Sequence, residues 1–297
     1  MGVLLNKRDI LRGLAAAAAA SSLGVSARAQ VVPPAPTTSS KWPLKPMRVK
    51  GATVLVTGAN RGIGLGFVKA LLVREARRVY VTARSEESLP VMVALDPARI
   101  VPLVLDVNDP KHRQRAAAQA TDVTWLVNNA GVPGGRAPSE DRILAATALK
   151  DARLVMDTNC WSPAELCRLF APIIIANGGG AITNMLSVGA WFCVPQVTTY
   201  SMSKAAAAMM TAGIRAELDR EPVLVSGVYT ASVATRMSHD KGMDPVEHAH
   251  IVLDAAGRGE TDILAGTGVV ELRDQLRSDP KSVERERVDR MERSPQK

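Results

Sequence analysis

The amino-acid sequence predicts an α/β fold in which a doubly wound parallel sheet is covered by helices on both faces. Short, almost wholly apolar runs rich in β-branched residues, beginning at 52–56, suit buried parallel strands. These runs alternate with segments whose apolar residues recur at helical spacing, such as 65–72. Aromatic residues make up only 3% of the chain and hydrophobic residues 46%, so aliphatic side chains and alanine must fill the core. A chain of 297 residues can bury one large core of this kind, and we expect one domain.

Strands and helices alternate regularly along the chain after residue 50. Further strands are predicted at 78–82, 100–105, 123–127, 181–186, 223–228 and 261–264. Helices are predicted at 141–149, 152–176 and 200–218, the last of which is rich in alanine. The segment 280–297 is highly charged with almost no aliphatic residues, so we expect a frayed helix or disorder there.

Residues 1–29 contain the three parts of an export signal peptide in the expected order. A basic segment with Lys7 and Arg8 precedes an alanine-dominated apolar stretch at 14–25, and a small-x-small cleavage motif follows at 27–29. The apolar stretch is too short to cross a bilayer, so no membrane span is expected. The Lys7-Arg8 pair resembles the twin-arginine export signal, with lysine in place of the usual first arginine. We therefore expect a periplasmic protein.

The rest of the chain divides into three segments. Residues 30–49 are a linker rich in proline, serine and threonine, residues 50–279 are the folded domain, and residues 280–297 are the charged tail. Met47 lies just before the first strand. Translation that begins at this methionine would instead give a cytoplasmic protein.

Charge and metal-ligand spacing exclude two classes of site. The formal net charge is +8, but the basic residues are scattered and no aromatic platform is interleaved with them, so no nucleic-acid partner is expected. Cys160, Cys167 and Cys193 form no CxxC motif. His248 and His250 fall on different faces of a helix. We predict neither a metal site nor a disulfide framework.

The segment 57–64, with the sequence TGANRGIG, is a strand-to-helix turn suited to a dinucleotide. Gly58 permits the sharp turn, while Gly62 and Gly64 let backbone N–H groups and the helix N-terminus approach a pyrophosphate. The candidate cofactor-binding residues of this turn are Thr57, Gly58, Asn60, Arg61, Gly62, Ile63 and Gly64.

The end of the second predicted strand favours NADP(H) over NAD(H). An NAD site carries an acidic residue about 20 residues after the glycines, which accepts hydrogen bonds from the ribose 2′-hydroxyl. No acidic residue occupies that strand end; Arg84 does, and Arg61 lies within the glycine turn. Two guanidinium groups can bind a 2′-phosphate that a carboxylate would repel. We predict an NADP(H) cofactor.

Two further strand ends supply candidate cofactor contacts. The third predicted strand ends at Asp106 and Val107, where a carboxylate can accept a hydrogen bond from the adenine amino group. The fourth runs into Asn129, Ala130 and Gly131, whose small residues leave room for a cofactor.

Tyr200 and Lys204 have the spacing of an acid/base pair. A tyrosine titrates near pH ~10 in water, too high for catalysis at neutral pH, so its phenolate needs an adjacent cation. Lys204 lies four residues further along the same helix face, where it can lower the pKa of Tyr200 and bond ribose hydroxyls.

Five motifs together resemble the NAD(P)-dependent short-chain dehydrogenase/reductase family. They are TGANRGIG at 57–64, NNAG at 128–131, Asn159, Ser187 and YSMSK at 200–204, and the resemblance covers about residues 50–266. It implies a single-domain Rossmann-like fold with about seven parallel strands, a homodimer or homotetramer, and hydride transfer between a nicotinamide and a carbonyl or alcohol carbon.

The resemblance also assigns roles to single residues. Ser187 would hold the substrate oxygen and stabilise charge on it, and Asn159 would position a water that links Lys204 to solvent. Val233 and Thr235 would contact the carboxamide and the pyrophosphate. The family usually has Pro-Gly after the sixth strand, whereas this chain has Thr230-Ala231, so we expect altered loop geometry with binding retained.

The substrate is predicted to be a small, uncharged and partly hydrophobic carbonyl or alcohol compound. Trp191 and Phe192 closely follow Ser187, and the segment 235–250, with a helix start at Pro245, is placed to act as a lid. Two alternatives remain open. One is a related epimerase or dehydratase, which would need a larger C-terminal substrate domain; the other is a non-catalytic NADP(H)-binding sensor, in which a damaged Tyr/Lys pair would be expected.

Overall fold

The computed structural model describes residues 47–134, 143, 144 and 149–293, with side chains in the last helix through residue 289. The predicted signal peptide, nearly all of the linker 30–49 and most of the predicted helix 141–149 lie outside these residues. The described part of the chain contains one parallel sheet of seven strands in the order β3-β2-β1-β4-β5-β6-β7. The strands are β1 Thr53–Val56, β2 Arg78–Ala83, β3 Ile100–Val104, β4 Trp125–Asn128, β5 Gly180–Met185, β6 Val223–Thr230 and β7 Asp262–Ala265.

Helices connect the strands and cover both faces of the sheet. They are α1 Gly62–Val73, α2 Leu89–Val93, α3 Pro110–Gln119, α4 Lys150–Met156, α5 Ser162–Ala176, α6 Thr198–Glu217, α7 Pro245–Gly257, α8 Val269–Ser278 and α9 Pro280–Arg293. A π-helical turn, Asp157–Trp161, joins α4 to α5. Within the described residues, short 3₁₀ turns span Glu86–Ser88, Val188–Ala190, Pro195–Val197 and Arg236–Ser238.

Side-chain alternation along the strands divides the core into two layers. Val54 and Val56 of β1 lie in a cluster with residues of α1, α2 and α7. Leu55, between them, lies in the opposite cluster with residues of α3 and α5. Because successive residues of a strand face opposite sides of the sheet, both faces are buried under helices. The predicted doubly wound, single-domain α/β fold is confirmed.

The charged tail contains a helix. Of the two outcomes that the sequence predicts there, a frayed helix or disorder, the structure has a helix over Pro280–Arg293. Val283 is fully buried in it, and Asp279 accepts a hydrogen bond from Ser282 N at the start of the helix. One buried aliphatic residue and an N-terminal cap therefore order a segment that its average composition would leave unfolded.

The strand order places a crevice at one edge of the sheet. The chain runs outward from β1 through β2 to β3 and then returns to β4 on the other side of β1. The loops after β1 and β4 therefore leave the sheet in opposite directions, and ligands of open parallel sheets bind at such a point. The glycine turn follows β1 and the NNAG segment follows β4.

Candidate active site

Glycine is required in the turn after β1 because atoms of neighbouring loops and of the turn itself come within contact distance. Gly58 has φ +61°, and a Cβ there would lie 3.1 Å from Ala130 Cα. A Cβ on Gly62, with φ +53°, would lie 3.0 Å from Thr235 Cγ2, and one on Gly64 would lie 2.3 Å from the Gly58 carbonyl oxygen. The turn thus packs directly against the loops after β4 and β6.

Hydrogen bonds join the same loops. Asn129 Nδ2 donates to the carbonyl oxygens of Thr57 and Gly58, at 2.8 and 3.2 Å. The Thr57 hydroxyl accepts from the backbone N–H groups of Asn129 and Ala130, both at 2.9 Å. This network holds the carboxyl ends of β1 and β4 together, so Asn129 acts on the turn rather than pointing into the crevice.

The N-terminus of α1 fits a pyrophosphate. Among the described residues, no side chain caps this helix at Arg61, and its first turn contains no acidic residue. The N–H groups of the first turn have no intrahelical acceptors, so they are open to an anion, which the helix dipole also favours. Gly62 and Ile63 are half-buried in this turn.

Arg61 and Arg84 lie at the same edge of the crevice. Ala59 N donates to the Thr82 carbonyl oxygen at 2.9 Å, and Gly58 N donates to the Thr82 hydroxyl at 3.2 Å, which ties the glycine turn to the end of β2. Arg84 directly follows β2, and both guanidinium side chains are exposed. The pair is therefore available to a phosphate group.

Two other predicted contacts and one missed residue lie at this edge. Asp106 is half-buried after β3, and its Oδ1 accepts from Asn108 N at 3.0 Å; Val107 is buried. Asn60 Nδ2 donates to the Ser88 hydroxyl at 3.4 Å. No motif pointed to Ser88, because it lies beyond the strand end on which the sequence argument depended.

Ser187, Tyr200 and Lys204 are brought together at the carboxyl end of β5. The Ser187 hydroxyl accepts from Gly189 N at 3.1 Å, and it lies near enough to Tyr200 to lower the pKa of the phenol. Lys204 Nζ lies 5.7 Å from the centroid of the Tyr200 ring and donates to the Met185 carbonyl oxygen at 2.7 Å. A hydroxyl, a phenol and an ammonium group thus share one wall of the crevice.

Asn159 lies in the π-helical turn and uses its side chain to fix a neighbouring loop. Its Oδ1 accepts from Val132 N, and its Nδ2 donates to the Val132 carbonyl oxygen, both at 2.9 Å. Nδ2 also donates to the Ser203 hydroxyl at 3.0 Å. A π-helical turn inside a helix is a frequent feature of functional sites. Val132 and Ser203 were missed from the sequence, although Ser203 lies within the YSMSK motif.

The pKa values differ from the sequence expectation. Burial raises the pKa of Tyr200, and the hydrogen bond with Ser187 opposes this only in part. Burial lowers the pKa of Lys204 to about 8, and the nearby Cys160 opposes this. Lys204 was expected to lower the pKa of Tyr200; without a bound cofactor, desolvation of the phenolate is the larger effect, and the phenol keeps its proton at neutral pH.

The loop after β6 completes the crevice. Val233 is buried and pairs with Met243, and Ala234 N donates to the Met243 carbonyl oxygen at 2.8 Å. Thr235 caps the 3₁₀ turn that follows, in a reciprocal box with Ser238. Both Val233 and the half-buried Thr235 therefore have fixed backbone positions next to the glycine turn.

Aromatic residues lie beyond Ser187, as the sequence suggested. Trp191 stacks on Tyr229, with ring centroids 4.6 Å apart. Phe192 lies under the Arg287 guanidinium of α9, whose Cζ is 4.9 Å from the ring centroid. Tyr229 and Arg287 were not predicted, because each is distant in sequence from the residue it covers. In the described residues no group of three or more His, Cys, Asp or Glu side chains could hold a metal ion, and no described helix is long and apolar enough to cross a membrane.

Comparison with known proteins agrees with this site. The family model for short chain dehydrogenase matches residues 52–245, about two thirds of the chain. The chain belongs to the short-chain dehydrogenase/reductase family. This protein is therefore an oxidoreductase of that family.

Individual relatives support the same assignment. "Carbonyl reductase [NADPH] 2" from Sus scrofa is 32% identical over 204 residues, which cover 67% of this chain and 79% of the relative. A crystal structure of a short chain dehydrogenase from Burkholderia cenocepacia in complex with NADP is 35% identical, with a TM-score of 0.73, covering 80% of this chain and 97% of the other. A Burkholderia phymatum enzyme in complex with NAD has a TM-score of 0.70 at 20% identity, covering 79% and 96%, and so shares the fold.

Proposed function

We propose that this enzyme is an NADP(H)-dependent reductase that interconverts a small carbonyl compound and its alcohol, with Tyr200 as the acid/base. The observation that carries the proposal is the shared wall formed by Ser187, Tyr200 and Lys204, next to an uncapped helix N-terminus. A hydroxyl that can hold a substrate oxygen lies beside a phenol that can protonate it, and a cation lies within reach of both the phenol and a ribose.

The roles follow from the positions of the groups. A nicotinamide cofactor, when bound, supplies or accepts the hydride. In reduction, Ser187 holds the carbonyl oxygen and stabilises the negative charge that develops on it. Tyr200 gives its proton to that oxygen, and its raised pKa keeps it protonated and able to do so. Lys204, charged below about pH 8, stabilises the resulting phenolate until solvent returns the proton.

Asn159 would support proton transfer indirectly, by positioning Tyr200 through Ser203. Its side chain joins Val132 to Ser203, and Ser203 in turn donates to the Tyr200 carbonyl oxygen at 2.7 Å. The amide thereby fixes the helix turn that carries Tyr200. With both amide atoms engaged, we infer that a relay water would rest on the main chain of Asn159 or on Lys204.

The preference for NADP(H) depends on Arg61 and Arg84. Both guanidinium groups are exposed at the edge where the glycine turn meets the end of β2, and the strand ends in alanine where an NAD site would carry an acid. One similar structure holds NADP and another holds NAD, so the family alone does not decide the cofactor. The two cations favour the dinucleotide with the additional phosphate.

We also propose that the enzyme is a homodimer or homotetramer in which α6 contributes to the interface. Met202 and Met209 lie seven residues apart on one face of α6, with relative exposures of 49% and 76%. Trp161, in the π-helical turn that contacts α6, is 62% exposed. Large apolar side chains gathered on adjacent helices are typical of a protein interface.

A panel of uncharged aldehydes and ketones, assayed by the loss of NADPH absorbance, tests the function. At least one compound should be reduced, and Tyr200→Phe should lower kcat by about a thousandfold or more while the Kd for NADPH changes little, because the phenol is needed only for proton transfer. NADPH binding without turnover of any carbonyl, or full activity in the phenylalanine variant, would contradict the proposal. The first of these results would favour the sensor alternative.

A further inference from the structure

His248 is a buried residue with no role in the chemistry described above. It lies in α7, is fully buried, and its Nε2 is 2.9 Å from the Thr230 hydroxyl oxygen. Its Nδ1 is also buried and makes no hydrogen bond within the described part of the chain. A polar ring inside an apolar layer costs free energy, so the single hydrogen bond it makes must be maintained for the ring to be tolerated.

The hydrogen bonds around Thr230 assign the tautomer of His248. We assign the proton of the neutral imidazole to Nε2, because the Thr230 hydroxyl can then accept from the ring and still donate to the Ala231 carbonyl oxygen, 3.3 Å away. With this assignment Nδ1 carries a lone pair. Burial lowers the pKa of His248 to about 4, so the ring stays neutral over the physiological range and remains a fixed donor.

This donor acts at the start of the loop that closes the crevice. Thr230 is the last residue of β6, and residues 231–235, here called the cofactor loop, lead to Thr235, whose Cγ2 would lie 3.0 Å from a Cβ on Gly62. A proline at position 230, as the family usually has, would fix its own φ through the ring. Threonine lacks that ring, so the pairing of Thr230 with Ala265 of β7 and the hydrogen bond with His248 hold the chain at this point.

The helix that carries His248 is itself fixed to the glycine-turn helix. A Cβ on Gly66 of α1 would lie 2.2 Å from the Pro245 carbonyl oxygen, so the first turn of α7 packs directly against α1. Asp244 caps α7 by accepting from Val246 N and Glu247 N. Helix α7 therefore connects α1, through the contact between Gly66 and Pro245, to Thr230, through His248.

We propose that His248 is a positioning residue for the cofactor loop: its hydrogen bond to Thr230 replaces the restraint of the missing proline and holds Val233 and Thr235 against the glycine turn. This inference rests on the proposed NADP(H)-dependent function. The residue acts through Thr230 and touches neither substrate nor cofactor. Nothing in the family motifs at 57–64, 128–131 or 200–204 points to it.

Hydrogen exchange in the protein without cofactor measures the restraint directly. In Thr230→Val, which removes the acceptor with little change in shape, the amides of residues 231–235 should exchange about fivefold to tenfold faster than in wild type, the size expected for one lost hydrogen bond. His248→Leu should have the same effect, and the double variant should be no worse than either single variant, because both remove one interaction. His248→Gln, which keeps a donor, should stay near wild type.

Controls separate positioning from general destabilisation. Val252→Ala removes buried volume from the same helix and should lower the melting temperature without changing exchange in the cofactor loop. The Kd for NADPH should rise about fivefold to tenfold in Thr230→Val and return towards wild type when Thr230→Pro and Ala231→Gly are combined with His248→Leu.

The outcomes distinguish this inference from the proposed function. Unchanged loop exchange in both Thr230→Val and His248→Leu, or unchanged NADPH affinity in both, would overturn the positioning role. If wild-type protein binds no NADPH, the proposed function fails, while the exchange measurement, made without cofactor, still decides whether His248 restrains the loop.

Discussion

Replacing Lys204 by methionine should make the protein more stable and inactive. Lys204 is 6% exposed, and burial lowers its pKa from 10.5 to about 8, so the folded protein holds its ammonium group at a cost. The difference of about 2.5 pKa units corresponds to roughly 3 kcal/mol at pH 7, since each unit is worth about 1.4 kcal/mol. The loss of the hydrogen bond from Nζ to Met185 O would reduce this gain in unfolding free energy by about 1 kcal/mol. The variant should gain about 2 kcal/mol at pH 7.

The difference in unfolding free energy between Lys204→Met and wild type should depend on pH. The folded pKa lies below the unfolded value, so between about pH 8 and pH 10.5 the unfolded chain binds more protons and the wild-type stability rises with pH. Lys204→Met lacks this group, so its advantage should shrink over the same window, disappear at about pH 10, where the remaining cost equals the lost hydrogen bond, and reverse above it. Binding of NADP(H) should reverse the order, because only the wild type offers an ammonium group to the cofactor.

Urea unfolding of the cofactor-free protein at pH 7, 9 and 10 measures the effect. Lys69→Met is a matched control, because Lys69 is exposed on α1 and its replacement should change the unfolding free energy little at any of these pH values. A Lys204→Met protein that is less stable than wild type at pH 7, or whose difference from wild type does not vary with pH, would refute the assignment of a buried charge at neutral pH.

Three further predictions concern the cofactor, the assembly and the N-terminus. Arg84→Asp should raise the Kd for NADPH about tenfold to a hundredfold and leave the Kd for NADH unchanged or lower. An equal loss of affinity for both cofactors would show that Arg84 does not face the 2′-phosphate. Met209→Glu should lower the mass measured by light scattering to that of a smaller assembly. Val73→Glu, at a similarly exposed apolar residue on α1, should not change the mass. A monomeric wild type would contradict the proposed interface. N-terminal sequencing of the native protein should find Gln30 as the first residue if the predicted signal peptide is cleaved after export, whereas a start at Met47 would indicate a cytoplasmic enzyme.

Local patterns in the sequence were sufficient for the fold. The apolar runs predicted as strands at 52–56 and 123–127 overlap the strands Thr53–Val56 and Trp125–Asn128, which are buried on both faces, and such strands can be recognised without knowing their neighbours. The i, i+4 spacing of Tyr200 and Lys204 likewise depends only on the helix that carries them. The predicted strands, each of which depends on one apolar run, therefore agree with the structure.

Properties that depend on contacts between distant segments could not be predicted from local sequence patterns. The direction of the Tyr200 pKa shift depends on how much protein surrounds the phenol, which spacing along a helix does not reveal. The sequence raises His248 only as a candidate metal ligand, because its partner Thr230 lies eighteen residues away on another element. The order of the tail depends on single contacts, such as the burial of Val283 and the packing of Arg287 on Phe192, which the average composition of the segment conceals.

The stacking of Trp191 on Tyr229 has an optical consequence. Three tryptophans fall within the described residues, in three different surroundings: Trp125 is fully buried with its indole N–H on the Thr183 hydroxyl, Trp161 is largely exposed, and Trp191 is half-buried beyond Ser187. Indole emission shifts to longer wavelength with exposure to water, so the three should contribute separable bands. In the isolated protomer soluble quenchers should reach Trp161 first and Trp125 last, whereas in the proposed assembly Trp161 is shielded from them. A molecule that enters beside Ser187 would alter mainly the Trp191 band, which gives the protein an intrinsic fluorescent reporter of substrate binding that needs no turnover and no label.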